Sequence, residues 1–296
     1  MKHRLTTLIY LIGNVLFIAL RTVQILFFTE KGTAFLTTNS MPFSVAFSIL
    51  FVAIIATSFS FALFSNKRLR EVPENSYPCL IVCLIVGALY LVSGLVSYLL
   101  YSAGIFFALI SVLAAASMVL YGFTEFKGYE FPRFGSLFLI AVWSWQFILS
   151  YLCYTTRPLR LRTVVETFAI ITLILFFLLF GKLKSNVDLN KSSRLLHPLG
   201  LVASTLCFAS IVPEFIAWTL GNTDKLTFSC LSPVSLLAGG IFAAFISIYT
   251  FKSDDRDILP DNEIIDDSGE CKIVNISLNE NQETKNQARF SPVFLL

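Results

Sequence analysis

Residues 11–30, LIGNVLFIALRTVQILFFTE, have the apolar character of a membrane-spanning helix but carry a charge inside it. The apolar run from Leu5 to Phe28 exceeds the roughly 7–15 residues of a signal-peptide core, so we expect a retained first span. A lone charge in hydrocarbon costs roughly 2.5–3.5 kcal/mol on insertion scales. The stretch therefore predicts a membrane protein and raises the question of what Arg21 contacts.

The composition of the whole chain also indicates a membrane protein. Of its 296 residues, 56% are apolar and only 14% are charged, whereas soluble domains carry about 25% charged residues. Residues 1–251 have a net charge of +8, and residues 252–296 have a net charge of −5. We predict that residues 1–251 form a transmembrane bundle and that residues 252–296 form an acidic, disordered cytoplasmic tail. The small total charge of +3 gives no reason to expect a nucleic-acid partner.

Eight windows are long and apolar enough to span a membrane. Ser102 and Gly104 supply the turn that divides the third window from the fourth. The sequence therefore predicts an all-α membrane protein with a single bundle of about eight transmembrane helices. The windows are residues 5–28, 42–64, 79–101, 103–123, 134–154, 163–181, 197–220 and 232–251.

The distribution of lysine and arginine predicts the orientation, because cytoplasmic loops are enriched in both. If the N-terminus is inside, the loops on that side hold 13 of these residues and the loops on the other side hold 5. Both termini are therefore predicted to be cytoplasmic. The segment TTRPLRLRTVVE, residues 155–166, is an exception, because it places three arginines on the side that should be poor in them.

Polar residues of the first span share one helical face. Thr7, Tyr10, Asn14, Arg21 and Gln24 recur at intervals of three, four and seven, which places them on one stripe. The opposite face is apolar. We predict that the polar stripe faces protein and not lipid.

Two acidic residues lie inside the predicted windows, Glu166 and Glu214. With alternating spans, both lie one to two turns from the outer surface, close to the depth of Arg21. Buried opposite charges tend to pair, because an unpaired charge in low dielectric is very costly. We predict that Arg21 contacts Glu214 or Glu166, and we favour Glu214 because its depth is closer.

Two interpretations of this outer polar cluster remain open. In the first, a buried ion pair holds spans 1, 6 and 7 in register. In the second, the cluster is a binding site that opens to the outside, where the basic loop attracts an anion. The predicted members of the site are Arg21, Gln24, Arg157, Arg160, Arg162, Glu166 and Glu214.

Further patterns predict local geometry and helix contacts. Pro198 and Pro233 are expected in the first turns of their helices, where proline loses no hydrogen bond, and Pro213 is expected to kink the seventh helix. Gln146 is expected to hydrogen-bond between helices. The small residues GG at 239–240 and AA at 243–244 offer a close-packing face.

Residues suited to metal or catalytic chemistry are scarce. The six cysteines lack metal-site spacing, and the chain has only two histidines, so we interpret the cysteines as small apolar residues. There is no HExxH, P-loop or GxSxG motif. We therefore expect no metal, no cofactor and no catalytic residue, although Glu166 or Glu214 could serve as a general base.

Residues 20–35, LRTVQILFFTEKGTAF, resemble a pattern in uncharacterised multi-spanning bacterial membrane proteins. The resemblance covers the first span and the loop after it, and it extends to residues 162–166. It implies a multi-pass protein of the bacterial cell membrane and implies no activity, substrate or site.

Three functions fit this sequence. The first is transport or recognition of a small solute through the outer polar cluster. The second is a non-catalytic sensor or assembly protein that uses its C-terminal tail, and the third is a membrane-embedded lipid-modifying enzyme. The expected partners are the lipid bilayer and an unknown small solute or protein.

The predicted orientation is tested with reporter fusions. A reporter fused after Phe251 should report the cytoplasm, and one fused near Thr155 should report the outside, because an odd number of crossings separates the two positions. A cytoplasmic reporter near Thr155 would make residues 155–166 an ordinary basic cytoplasmic loop and would contradict the shared depth of the outer cluster.

Overall fold

The computed structural model describes residues 2–30, 42, 44–50, 52, 53, 56, 77–100, 104–129, 131–154, 161–185, 189–222 and 233–249. Within these residues the chain is α-helical, and five helices, α1, α2, α3, α5 and α6, are long and apolar enough to cross a membrane. The predicted α-helical membrane fold is confirmed at this level. The helices with defined bounds are α1 (Lys2–Phe28), α2 (Tyr77–Leu100), α3 (Gly104–Lys127), α4 (Arg133–Tyr154), α5 (Leu161–Lys184), α6 (Leu189–Thr219) and α7 (Pro233–Tyr249).

The helix bounds correct two sequence predictions. α6 begins at Leu189, so Pro198 lies inside that helix with Pro213, and its predicted place in the first turn is wrong. α3 continues to Lys127, which brings Glu125 into a helix that the fourth window ended at residue 123. Both windows end at polar residues. A helix can continue past them into the polar layer, until a residue that favours another backbone conformation ends it. Pro213 is inside its helix and Pro233 begins α7, as predicted.

Other predictions lie wholly or partly outside the described residues. The second window, 42–64, is described at only a few positions, of which residues 44–50 are helical. The tail at 252–296 lies outside the described residues. Arg157 and Arg160 also lie outside them.

Two helices are followed by a glycine whose positive φ angle ends the helical conformation. Gly128 follows α3 with φ of 69°, and Gly221 closely follows α6 with φ of 75°. In both places the next residue donates a hydrogen bond five residues back, from Tyr129 to the Thr124 carbonyl at 2.9 Å and from Asn222 to the Ala217 carbonyl at 3.0 Å. This is the Schellman arrangement, which needs a left-handed residue and therefore favours glycine.

At one end of the bundle, the starts of α2, α4 and α6 contact the ends of α3, α5 and α7. We name this end of the bundle the Lys184 end. There Glu125 of α3 pairs with Lys184 of α5. His197 of α6 donates a hydrogen bond from Nδ1 to the carbonyl oxygen of Ser247 in α7, 2.8 Å away. That carbonyl belongs to the last turn of α7, where the helix itself supplies no donor.

The opposite end, which we name the Glu166 end, joins the ends of α2, α4 and α6 to the starts of α3, α5 and α7. Phe106 of α3 packs edge-on against Trp145 of α4, with ring centroids 4.8 Å apart. Gln146 of α4 donates a hydrogen bond from Nε2 to Ser235 Oγ of α7 at 2.7 Å, which confirms the predicted bond between helices. Consecutive helices from α2 to α7 therefore alternate in direction.

The antiparallel pair of α2 and α3 is held by close backbone approach. A Cβ atom placed on Gly122 would lie 2.7 Å from the Cβ atom of Cys83, and one placed on Gly94 would lie 2.8 Å from the Cβ atom of Ser111. These two contacts lie at opposite ends of the pair. Glycine therefore fixes the separation of α2 and α3 along most of their length, as small residues do in membrane helix pairs.

The predicted close-packing face of α7 is confirmed. A Cβ atom on Gly240 would lie 2.7 Å from the Cβ atom of Cys207 in α6, and one on Gly239 would lie 2.5 Å from the Trp143 ring of α4. Trp143 also donates a hydrogen bond from Nε1 to Tyr90 Oη at 3.0 Å, so α2, α4, α6 and α7 meet in the core.

α6 is the most buried of the long apolar helices, and it packs against α1, α5 and α7. Residues 196–207 are all buried. It carries buried polar side chains along most of its length, including Ser192, Ser204, Thr205 and Ser210. A helix that is buried on all sides is normally apolar on all sides, so this polarity is unusual.

A substitution at the α2–α3 contact tests this packing. Gly122→Val should destabilise the protein by about 1–3 kcal/mol, because the new side chain must displace Cys83 or the α2 backbone. The lipid-facing substitution Ala116→Val on the same helix is the control and should be nearly neutral. The measurement is thermal unfolding of the two variants in detergent, and equal stability would show that α2 and α3 do not approach as described.

Candidate functional site

The polar stripe of α1 faces the protein interior. Asn14, Arg21 and Gln24 are 9%, 5% and 1% exposed, whereas Leu16 and Phe27 on the other side of the helix are exposed. The prediction that the stripe avoids lipid is therefore confirmed for these three residues. The side chains of Thr7 and Tyr10 lie outside the described part of the structure.

Arg21 begins a chain of hydrogen bonds. Its Nη1 donates to Gln24 Oε1 at 2.6 Å, and Gln24 Nε2 donates to Ser44 Oγ at 3.0 Å. The guanidinium also lies 5.9 Å from the ring centroid of Phe47, which stacks on Phe17. A charge-assisted hydrogen bond and a cation–π contact both stabilise a guanidinium outside water. These contacts join α1 to residues 44–50.

Asn14 lies two turns below Arg21 on the same face. Its Oδ1 atom is buried and accepts no hydrogen bond from any residue that the structure describes. A buried acceptor without a donor costs about 1–3 kcal/mol. The position therefore suits a water molecule or a solute that can donate a hydrogen bond.

The two predicted carboxylates lie at the Glu166 end. Glu166 is five residues after the start of α5 and 4% exposed, and Glu214 is five residues before the end of α6 and partly buried. α1 packs against α6, the helix that carries Glu214. The pairing of Arg21 with Glu214 or Glu166 stays a prediction, and this packing favours Glu214.

The structure does not describe the predicted basic loop. Arg157 and Arg160 lie outside the described residues, and only the backbone of Arg162 is described, in the first turn of α5. That backbone position places Arg162 one turn from Glu166, as its spacing in the sequence indicates.

Sequence reasoning missed a second charged cluster. Glu125 and Lys184 form an ion pair at the Lys184 end, and the Lys184 ammonium also lies 5.2 Å from the ring centroid of Tyr121. The charge distribution assigns Lys184 to a cytoplasmic loop, and the fourth window, 103–123, ends before Glu125. The signal that could have revealed the pair is that Glu125 precedes Gly128, the residue at which the helix stops.

Comparisons with protein-family models, with curated proteins and with solved structures give no match to this chain. The assignment of a function therefore depends on the chemistry of the buried polar groups.

A double-mutant cycle tests the partner of Arg21. If Arg21 pairs with Glu214, Arg21→Ala should destabilise the protein by about 3–5 kcal/mol, because it leaves a buried carboxylate without its counter-charge. Adding Glu214→Ala should recover part of that loss, and the coupling is read from thermal unfolding of the single and double variants. The same cycle with Glu166 decides between the carboxylates.

The control for this cycle is Glu125, which lies at the Lys184 end. Arg21→Ala and Glu125→Ala should be additive, because distant sites seldom couple. Additivity with both Glu214 and Glu166 would contradict the ion pair.

Proposed function

We propose that this protein is a multi-pass protein of the cell membrane that recognises a small polar solute and passes it along a polar seam. The polar seam comprises Asn14, Arg21 and Gln24 of α1 together with α6, which packs against α1. In this proposal the chain crosses the bilayer eight times, both termini are cytoplasmic, and the Lys184 end faces the cytoplasm. The Glu166 end, which carries the two predicted carboxylates, faces outside.

The observation that carries the proposal is the buried Oδ1 atom of Asn14. Within the described residues it has no hydrogen-bond donor, although it lies in the middle of a span. Hydrocarbon supplies no donor. Water or a polar solute is therefore the natural partner for this atom, and its position in line with Arg21 and Gln24 extends the polar seam toward the membrane centre.

The energetics favour a solute over a purely architectural role. Replacing a buried ion pair by well-packed apolar residues is often neutral or stabilising. Holding α1 against α6 would thus be served as well by leucine at positions 14, 21 and 24. Polar groups that stability does not require, placed in a membrane interior, are functional candidates by default.

The polarity of α6 supports the same conclusion. The hydroxyls of Ser204 and Thr205 both donate to the Leu201 carbonyl of the same helix, at 2.9 Å. Such hydroxyls can exchange partners with little cost when a solute arrives. Pro213, directly before Glu214, has no N–H to donate, so the carbonyl of Ala209 one turn earlier lacks its helical donor.

Thiol modification tests the polar seam without knowledge of the solute. In an Asn14→Cys variant, a membrane-impermeant methanethiosulfonate reagent should modify the new thiol, because water in the seam allows the reactive thiolate to form. The matched control is Val15→Cys on the lipid-exposed face of α1, where a thiol remains protonated and should not react. Modification is measured by mass spectrometry of peptides, which separates each engineered thiol from the native cysteines.

A second arm separates solute recognition from architecture. Asn14→Leu should leave the thermal stability unchanged or raise it, because the substitution removes an unsatisfied acceptor. A clear loss of stability, or equal modification of the cysteines at 14 and 15, would contradict the proposed function.

A further inference from the structure

The Glu125–Lys184 ion pair connects two helices that are not neighbours in the chain. Glu125 is near the end of α3 and Lys184 is the last residue of α5, with all of α4 between them in sequence. Glu125 is 13% exposed and Lys184 is 23% exposed. The pair therefore lies at the rim of the Lys184 end, partly shielded from water.

An aromatic cluster lies directly beneath this ion pair. The ring of Tyr121 meets those of Phe131, Phe180 and Phe242 edge-on, with centroids 5.3, 5.1 and 5.9 Å apart. All four rings are buried. They come from α3, the residues before α4, α5 and α7. We name this set the aromatic plug.

Lys184 joins the ion pair to the plug, because its ammonium both pairs with Glu125 and lies over the Tyr121 ring. The cation–π contact and the ion pair reinforce each other, since both hold the same ammonium in place. Separating α5 from α3 would break both contacts at once and would expose the rings below. The cluster therefore has the parts of a closure, namely a dry plug and a polar latch.

We propose that the Glu125–Lys184 pair latches a cytoplasmic gate, formed by the aromatic plug, which closes the end of the bundle opposite the outer polar cluster. The inference rests on the proposed passage of a solute along α6. Phe176, which contacts Phe180 and Phe242 of the plug, also lies 2.8 Å from the position of a Cβ atom on Gly200 of α6. The plug is thus in contact, through Phe176, with the helix that lines the polar seam.

The reactivity of two native cysteines would measure the opening of this gate. Cys79 and Cys83 are fully buried near the start of α2, and neither forms a disulfide. Cys83 packs against Gly122, the neighbour of Tyr121 in the plug. Opening of the plug would let water and a small reagent reach them. Cys207, which is buried in the core against Gly240, should stay protected.

The experiment measures the rate at which a small charged methanethiosulfonate modifies the full-length protein in detergent, cysteine by cysteine. Glu125→Gln and Lys184→Met keep the side-chain size and remove one charge of the latch. Each should raise the modification rate of Cys79 and Cys83 by about tenfold, the factor expected from a mid-range coupling energy between contacting residues. The rate at Cys207 should not change.

Charge reversal separates a latch from a merely structural contact. The double variant Glu125→Lys with Lys184→Glu restores an ion pair of opposite sense and should restore most of the protection of Cys79 and Cys83. Unchanged rates in the single variants would overturn the gate, as would loss of protection at Cys207 together with the other two, because the pair would then hold the whole fold.

Different experimental results would contradict the gate and the proposed function. Protection of Cys79 and Cys83 in the latch variants, with a reactive Asn14→Cys, would overturn the gate and leave the polar seam intact. An unreactive Asn14→Cys would overturn the solute path itself, whatever the rates at Cys79 and Cys83, and the gate would have no path to close.

Discussion

The hydrocarbon interior of a bilayer offers no hydrogen bonds, and every feature of this fold depends on that constraint. Backbone groups are satisfied within helices, so the described chain is helical wherever it is apolar. Side chains follow the same requirement. Arg21 bonds to Gln24, Gln146 bonds to Ser235, and Trp143 bonds to Tyr90, and all three hydrogen bonds are buried. The Oδ1 atom of Asn14 is one of several buried polar atoms that have no such partner atom among the described residues.

Small residues decide which helices approach most closely, and this determines where polarity can be placed. Glycines bring α2 close to α3 and α7 close to α6. In α1, by contrast, Arg21 and Gln24 make polar contacts with each other and with residues 44–50. Membrane helices associate through packing and hydrogen bonds and not through the hydrophobic effect. The bundle therefore combines two kinds of interface, one tight and apolar, the other hydrogen-bonded.

The fold class and the buried face of α1 could be predicted because both depend on local periodicity. A stripe at intervals of three, four and seven is sufficient to show that Asn14, Arg21 and Gln24 avoid lipid. The partner of Gln146 could not be predicted, since it depends on which helix lies beside α4. Glu125 was missed for a different reason. The hydropathy window ends at residue 123, before the first charge, whereas α3 continues to Lys127 and is followed by Gly128. Glu125, which pairs with Lys184, lies between these two ends. Pro198 was misplaced because α6 extends two turns beyond its apolar window.

The burial of α6 has a consequence for the order in which the protein is assembled during synthesis. Of the five long apolar helices it has the lowest mean hydropathy, and it is the one least in contact with lipid. A segment of this kind is a poor candidate for independent insertion, because its buried serines, Thr205 and Glu214 need neighbours to shield them. Two of its partners, α1 and α5, precede it in the chain and are already synthesised when it emerges. The translation order thus supplies the protein surface into which α6 inserts, and a permuted chain that made α6 first would expose it to lipid alone.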